Sequence, residues 1–370
     1  MSSYQIVGIC FAIIGIIGLA SMALERFRHQ TFDLRYMPLS RMMTWVLRFT
    51  IGGLFFYSGF VKANDFIGFA YKLEEYFQVF GERWPALEGF FTFFIPLAEP
   101  LAWFISVFEV ALAVALIMGW FMPLTTWLSL LMMIFFTILT AYSHITNSVT
   151  DCGCFGDALK LTPFESFMKD IILTGMLIPL FLFRKQIKSL GGARIAGGIT
   201  AFSFVATGIF SWLCYQHLPL IDYRPYKVGT DLAICTTAPG PEGFPKCKDW
   251  SPVFLMGGEV DLFKGKVLLV IMQDMNKAPK DRLKASGELA RGLVAKGVTT
   301  IGATATSPKK VETYASELGL DYTFTFIDQT VLKTMIRSNP GYLLLQDGVV
   351  KKMWHHNDTP SADEVSALVP

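Results

Sequence analysis

Charge is what this 370-residue chain has little of: Asp, Glu, Lys and Arg make up 17% of it, against 52% hydrophobic residues. An ordinary soluble domain is roughly a quarter charged. The composition excludes a disordered chain and argues against an ordinary soluble enzyme. Lys and Arg (32) barely outnumber Asp and Glu (30), so no cationic excess points to nucleic acid as a partner. Six cysteines are too few for a disulfide-dense miniprotein. Also missing are a phosphate-cradling glycine loop, a Ser/His/Asp arrangement at recognisable spacing and a long internal repeat.

The charge that is present is unevenly placed. Residues 1–221 hold only 14 of the 32 Lys and Arg and 13 of the 30 Asp and Glu, so the shorter remainder carries more than half. This boundary separates a membrane part from a C-terminal domain of ordinary size, joined at Pro219 to Pro225. Six apolar stretches are long enough to cross about 30 Å of hydrocarbon: 4–24, 43–62, 98–119, 123–144, 164–183 and 195–215. The fold class is therefore a polytopic α-helical bundle followed by an α/β domain. Its parts are an anchor with a basic connection (1–41), a four-helix membrane domain (42–190), a sixth span (191–221) and the outer domain (222–370). The first stretch reads as a retained anchor, because its basic residues Arg26, Arg28, Arg35 and Arg41 follow it instead of preceding it.

Lys and Arg collect on one side of the spans. The first connection carries Arg26, Arg28, Arg35 and Arg41, and the one near 184–194 carries Arg184, Lys185, Lys188 and Arg194. The connections on the other side hold Lys62, Lys72, Arg83 and Lys160. The richer side reads as cytoplasmic, in a bacterial inner membrane. An even number of crossings then leaves the N-terminus, the 145–163 loop and the C-terminal domain outside.

The outer loop contains Asp151-Cys152-Gly153-Cys154-Phe155-Gly156-Asp157. Two thiols one glycine apart can close only a small, bent ring, and Gly153 permits the backbone angles this needs. Strained, exposed disulfides tend to be exchanging ones. The other readings are a static staple, two unpaired thiols, or a metal site with His144, although structural zinc normally takes four ligands at wider spacing. Thr162-Pro163-Phe164-Glu165 is a capping box that starts the next span and holds the Cys pair close to the membrane surface.

Ionisable residues inside the spans need partners. Arg48 and Glu109 are expected to pair across the bundle, and Lys62 and Glu99 to form a second pair; Lys169 and Asp170 lie at the start of span 5. Cys10 and Cys214 read as packing residues. In the long outer connection Asp65 is a good N-cap, and Phe66, Phe69, Ala70, Leu73 and Phe77 share one face of an amphipathic helix that roofs the bundle near the Cys loop.

These residues carry a resemblance. Gly-Leu-Phe-Phe-Tyr-Ser-Gly-Phe-Val-Lys at 53–62, followed by Asn64-Asp65 and Phe69-Ala70, resembles the opening of DoxX-type membrane proteins. Glu109 and the Asp-Cys-Gly-Cys-Phe-Gly loop resemble the related methylamine-utilisation protein MauE. The likeness spans about 140 residues. It implies a role in maturing a disulfide-rich exported subunit beside a thioredoxin-like protein, and carries a link to quinone-coupled sulfur oxidation, with a quinone as candidate cofactor.

The outer domain reads as strand 266–272, helix 279–296, strand 298–303, helix 308–318, a strand near 323–327, and a hairpin turning at Asp347-Gly348. With Asp328 ahead of a helix and Pro340 opening the hairpin, this order resembles the thioredoxin-like fold over about 245–368. The resemblance makes Pro340 a cis-proline facing a bound peptide or thiol. Yet Gln273 to Lys280, where such an enzyme carries Cys-x-x-Cys, contains no cysteine. Cys235 and Cys247 read as a structural disulfide rather than a redox pair. His355 and His356 read as surface residues of the last strand, facing opposite ways.

Two functions follow. In one, Cys152 and Cys154 are the catalytic pair of a thiol-redox component serving an exported client or a thioredoxin-like partner. In the other, the chain is a non-enzymatic assembly factor whose cysteine-less domain binds a client by its Pro340 face.

Overall fold

A computed structural model describes residues 3–30, 33–35, 37–149, 153–237, 247, 254–255, 258–259 and 264–369. The chain divides into two compact units, residues 1–212 and 213–370.

The first unit is helical. Its elements are α1 (Ser3–His29), α2 (Pro38–Asn64), α3 (Phe66–Arg83), α4 (Glu88–Phe94), α5 (Ala98–Met118), α6 (Met122–Thr146), α7 (Pro163–Phe183) and α8 (Ala193–Gln216). The six apolar stretches are the six helices long and apolar enough to cross a membrane, α1, α2 and α5 to α8. Helix α2 starts at Pro38, five residues before its apolar stretch. The Glu25 carboxylate of α1 accepts from the Leu39 and Ser40 amides at 2.7 Å, satisfying donors that a helix start leaves open.

Glycines set how closely α2 and α5 approach. A Cβ at Gly59 would lie 2.9 Å from the Val110 amide nitrogen and 3.2 Å from Glu109 Cβ, and one at Gly52 would lie 3.1 Å from the Ala113 carbonyl. The two antiparallel helices are thereby fixed in axial register, with Gly59 level with Glu109 and Gly52 level with Ala113. Helix α3 is capped by Asp65, which accepts from the Gly68 amide at 3.0 Å. Its Phe66, Phe69, Ala70, Leu73 and Tyr76 pack on Ala98 and Ala102 of α5 and Phe136 and Leu139 of α6, so the apolar face covers the bundle. Outward-facing Ile, Phe, Leu and Trp side chains stud α1, α2, α5, α6 and α8, as lipid contact requires. Cys10 is among the outward-facing residues; the expected packing role is corrected, because α1 contributes only one face to the bundle. Cys214 is buried.

The second unit is a mixed α/β domain. Its elements are α9 (Leu232–Thr237), β1 (Phe254–Leu255), β2 (Gly258–Glu259), β3 (Lys266–Met272), α10 (Lys280–Val294), β4 (Thr299–Thr304), α11 (Pro308–Leu318), β5 (Thr323–Phe326), α12 (Gln329–Met335), β6 (Gly341–Gln346), β7 (Val349–His355) and α13 (Ala362–Leu368). The sheet order is β2-β1-β5-β4-β3-β6-β7. Strands β3, β4 and β5 are parallel, and β6 runs antiparallel to β3 and β7. Strand β3 is apolar along nearly its whole length because both its faces are covered. Leu269 and Ile271 enter the layer with Leu332 and Met335 of α12, while Leu268 and Val270 enter the layer with Leu283 and Leu293 of α10. Beyond β6, strand β7 is joined along its first residues by the segment 229–232: Gly229 and Leu232 donate to Val350 and Gly348, and Val350 donates to Thr230. Opposite the Leu344–Leu345 step the register shifts, leaving Lys351 of β7 without a partner in β6.

Candidate functional site

The site lies where α2, α5, α6 and α7 meet the 145–163 loop. Cys152 and Asp151 lie outside the described residues; Cys154 is described and is only 3% exposed. Gly153 has φ +69°, and a Cβ there would meet Lys72 Cγ at 3.1 Å and Lys72 Cβ at 3.3 Å. Only glycine tolerates both the backbone angle and the crowding. Helix α3 therefore presses directly on Gly153. The capping box is formed: Thr162 Oγ1 accepts from the Glu165 amide and the Glu165 carboxylate accepts from the Thr162 amide.

Beneath the turn is a buried ionic network. Lys62, 2% exposed, donates to Glu109 Oε2 at 2.7 Å and to Ser58 Oγ at 3.1 Å. Ser58 in turn donates to the Cys154 carbonyl at 2.8 Å. The Lys62 ammonium also stands 4.6 Å from the Phe136 ring centre and 5.3 Å from that of Phe69, an arrangement that stabilises a cation through the ring faces. On the other flank Lys169 lies 2.9 Å from Asp170 and 5.0 Å from the Phe155 ring centre, and Thr140 donates to Asp170 at 2.9 Å. Ser58, Lys62, Glu109, Cys154, Lys169 and Asp170 line one cavity of about 20 Å³, room for a single water-sized group.

This geometry corrects the expected pairing of Arg48 with Glu109. The glycine-set register puts Glu109 level with Gly59, so Lys62, one turn further along α2, reaches it. Arg48 lies level with the other end of α5, where it donates to the Leu116 and Ile117 carbonyls at 3.1 and 2.8 Å and closes that helix's open acceptors. Glu99, the expected partner of Lys62, is exposed at the start of α5. His144 stands beside Phe164 and Phe167 of α7, and no metal-holding group of His, Cys, Asp and Glu occurs among the described residues.

Residues 40–183 match the family model described as methylamine utilisation protein MauE. The bundle carries a MauE-family segment. It runs from α2 to the end of α7 and includes the Cys turn and every member of the ionic network; α1, α8 and the α/β unit lie outside it. A comparison with curated proteins gave no match.

Beyond the MauE segment, the α/β unit has its own cluster. The Asn339–Pro340 peptide is cis. Asn339 Nδ2 donates to the Asp274 carbonyl at 2.8 Å and Gln273 Nε2 to the Ile336 carbonyl at 2.7 Å, joining the Pro340 loop to the β3–α10 turn. Beside them, at the carboxyl ends of the parallel strands, is an open polar cleft of about 740 Å³ lined by Asp274, Asn276, Thr306, Lys310 and Asp328. Cys235 and Cys247 are joined by a disulfide. The surface placement is corrected for His355, which is 4% exposed; His356 is partly buried, and the two ring centres lie 4.0 Å apart with the planes tilted by 35°. Strand alternation does not apply to the pair, because β7 ends at His355 and His356 begins a 3₁₀ turn. The His355 Nδ1 accepts the Asn357 amide at 3.2 Å, and His356 Nδ1 lies 2.9 Å from Ser338 Oγ. Burial, then the neighbouring His356, push His355 down to about 3, and burial also lowers His356.

Proposed function

We propose that the chain is a membrane accessory factor of the MauE kind, one that exchanges disulfides with an exported protein through Cys152 and Cys154. The observation that carries this is the Lys62–Ser58–Cys154 chain: the one described cysteine of the turn lines the same cavity as a buried, ion-paired lysine. That chain ends on the Cys154 backbone carbonyl, so the buried network anchors the backbone that carries this thiol at the rim of the bundle; the thiolate is the reactive species in exchange. In the oxidising direction, a client thiolate attacks one sulfur of a Cys152–Cys154 disulfide, whose S–S bond breaks and releases the other sulfur as thiolate. A second client thiolate then cleaves the mixed disulfide. The client has gained a disulfide and the loop two thiols; two electrons and two protons pass to a lipid-soluble quinone, which becomes quinol and restores the loop disulfide. The count of Lys and Arg supports an orientation with this turn and the α/β unit both outside, in a bacterial inner membrane.

The test is thiol trapping with mass spectrometry on membranes poised at known potentials. Reversible titration of the pair above about −300 mV, the region below which structural disulfides lie, is the expected result. A pair fixed in one state throughout that range overturns exchange. In that event the second reading stands, supported by the absence of cysteine from Gln273 to Lys280 beside a cis-Pro340 loop and a polar cleft: a thioredoxin-like client-binding domain anchored by the bundle, in which replacing both cysteines with Ser leaves activity intact.

A further inference from the structure

The end of α2 remote from the Cys turn borders a second cavity, of about 720 Å³, whose lining includes Arg35, Arg41, Arg48, Lys185 and Lys188, with Asp33 as the single carboxylate among the described residues. We propose that this cavity binds a phosphate group, that of an anionic phospholipid whose acyl chains run along the outer face of α2.

A bias of Lys and Arg toward one membrane face is ordinary and needs no ligand. These cations differ in being gathered by a built framework. The connection after α7 is bound back onto the end of α5: Leu190 donates to the Met118 carbonyl at 2.9 Å, and Ser189 to that of Gly119 at 3.0 Å. Its Gln186 side chain accepts the Leu34 amide at 2.7 Å, fixing the opposite wall. Gly119, at φ +65°, lies so close that a Cβ would meet Arg48 Nη2 at 2.5 Å and the Lys188 carbonyl at 2.9 Å. Arg48 is 2% exposed and its guanidinium stands 4.3 Å from the Trp45 ring centre. Among the described residues its charge meets two carbonyls and this ring face and no carboxylate. Five cations lining one cavity with a single described carboxylate favour a compensating anion, and a phosphate oxygen set matches the guanidinium forks. Met42, Trp45, Val46 and Phe49 continue from the cavity as an outward apolar strip, with Trp45 and Phe49 stacked. An amphiphile with an anionic head is the ligand whose two ends both find a partner, as in basic pockets between membrane helices.

The full-length protein is tested by native mass spectrometry with phosphatidylglycerol and phosphatidylcholine of equal chain length, and by thermal unfolding in sodium phosphate against sodium chloride of equal ionic strength. The probe variant replaces the exposed Arg41, Lys185 and Lys188 with Gln and leaves Arg48 and its helix-end contacts in place. Preferential retention of phosphatidylglycerol, weakened about fivefold for each charge removed, supports the lipid. Stabilisation by inorganic phosphate that the variant loses, without lipid preference, assigns the same site to a free phosphate and overturns the lipid. Equal retention of both lipids, with no phosphate effect and no difference in the variant, overturns the site.

Discussion

Lys62 holds its charge in the bundle interior through three kinds of partner: a carboxylate, a hydroxyl and two ring faces. Removing one member of such a pair strands the other charge away from water, which costs about 3–5 kcal/mol, whereas replacing both by apolar residues is far milder. Lys62→Met and Glu109→Met should each lower the unfolding midpoint in detergent sharply, and the double variant should recover much of the loss. Additive losses would show that the two residues are not coupled. The residues of this network were legible in the sequence as intramembrane charges needing partners, but their pairing was not. Which acid meets which base depends on axial register, and register is set by glycines whose role appears only once the helices face each other.

Helix α2 carries two glycines, Gly53 and Gly59, with opposite surroundings. Gly53 has open space where a Cβ would go, while Gly59 abuts the α5 backbone. Gly53→Ala should stabilise by about 0.5–1 kcal/mol through reduced chain entropy, and Gly59→Ala should destabilise by about 1–3 kcal/mol through overpacking. Unfolding of the two variants side by side, with Lys62 labelling as a report on the register, distinguishes these; equal effects would remove the glycines as determinants of helix approach. At this scale the sequence was informative where local chemistry governs: the six spans, the Asp65 cap and the Thr162–Glu165 box are all formed. It was weaker where a helix outruns its apolar stretch. The start of α2 depends on Glu25, a residue of the preceding helix, so hydropathy alone placed it late.

The two units need not respond alike to their surroundings. In the α/β unit His355 is held neutral, with a folded value near 3 against the ordinary imidazole value near 6.5. Above about pH 6.5 neither state binds the proton and the contribution is complete. Between about 6.5 and 3 the unfolded chain takes it up and the folded unit does not, so stability falls as pH falls, by at most about 1.4 kcal/mol per pH unit. Protection factors at β3 and β6 amides of the full chain, which divide out the intrinsic pH dependence of exchange, should fall over this window, and His355→Asn, which keeps a capping acceptor without titrating, should flatten the trend. An unchanged trend would assign acid sensitivity elsewhere. The order of strands and helices around β3 was readable from alternation, turn residues and apolar runs, as was the lack of cysteine after β3. The contact between the two histidine rings was not, because the switch from strand to 3₁₀ turn falls between them.

Strand β7 has a further consequence, for the solubility of the α/β domain. A strand on the border of a sheet is a template on which another chain can lay itself down. Here the segment 229–232 occupies the first residues of that border, Lys351 bulges out of the ladder, and Lys351 and Lys352 are both exposed. Neither a second copy nor another extended chain can continue the sheet past these features without displacing a paired segment and burying two ammonium groups, so this border is protected against strand-to-strand aggregation.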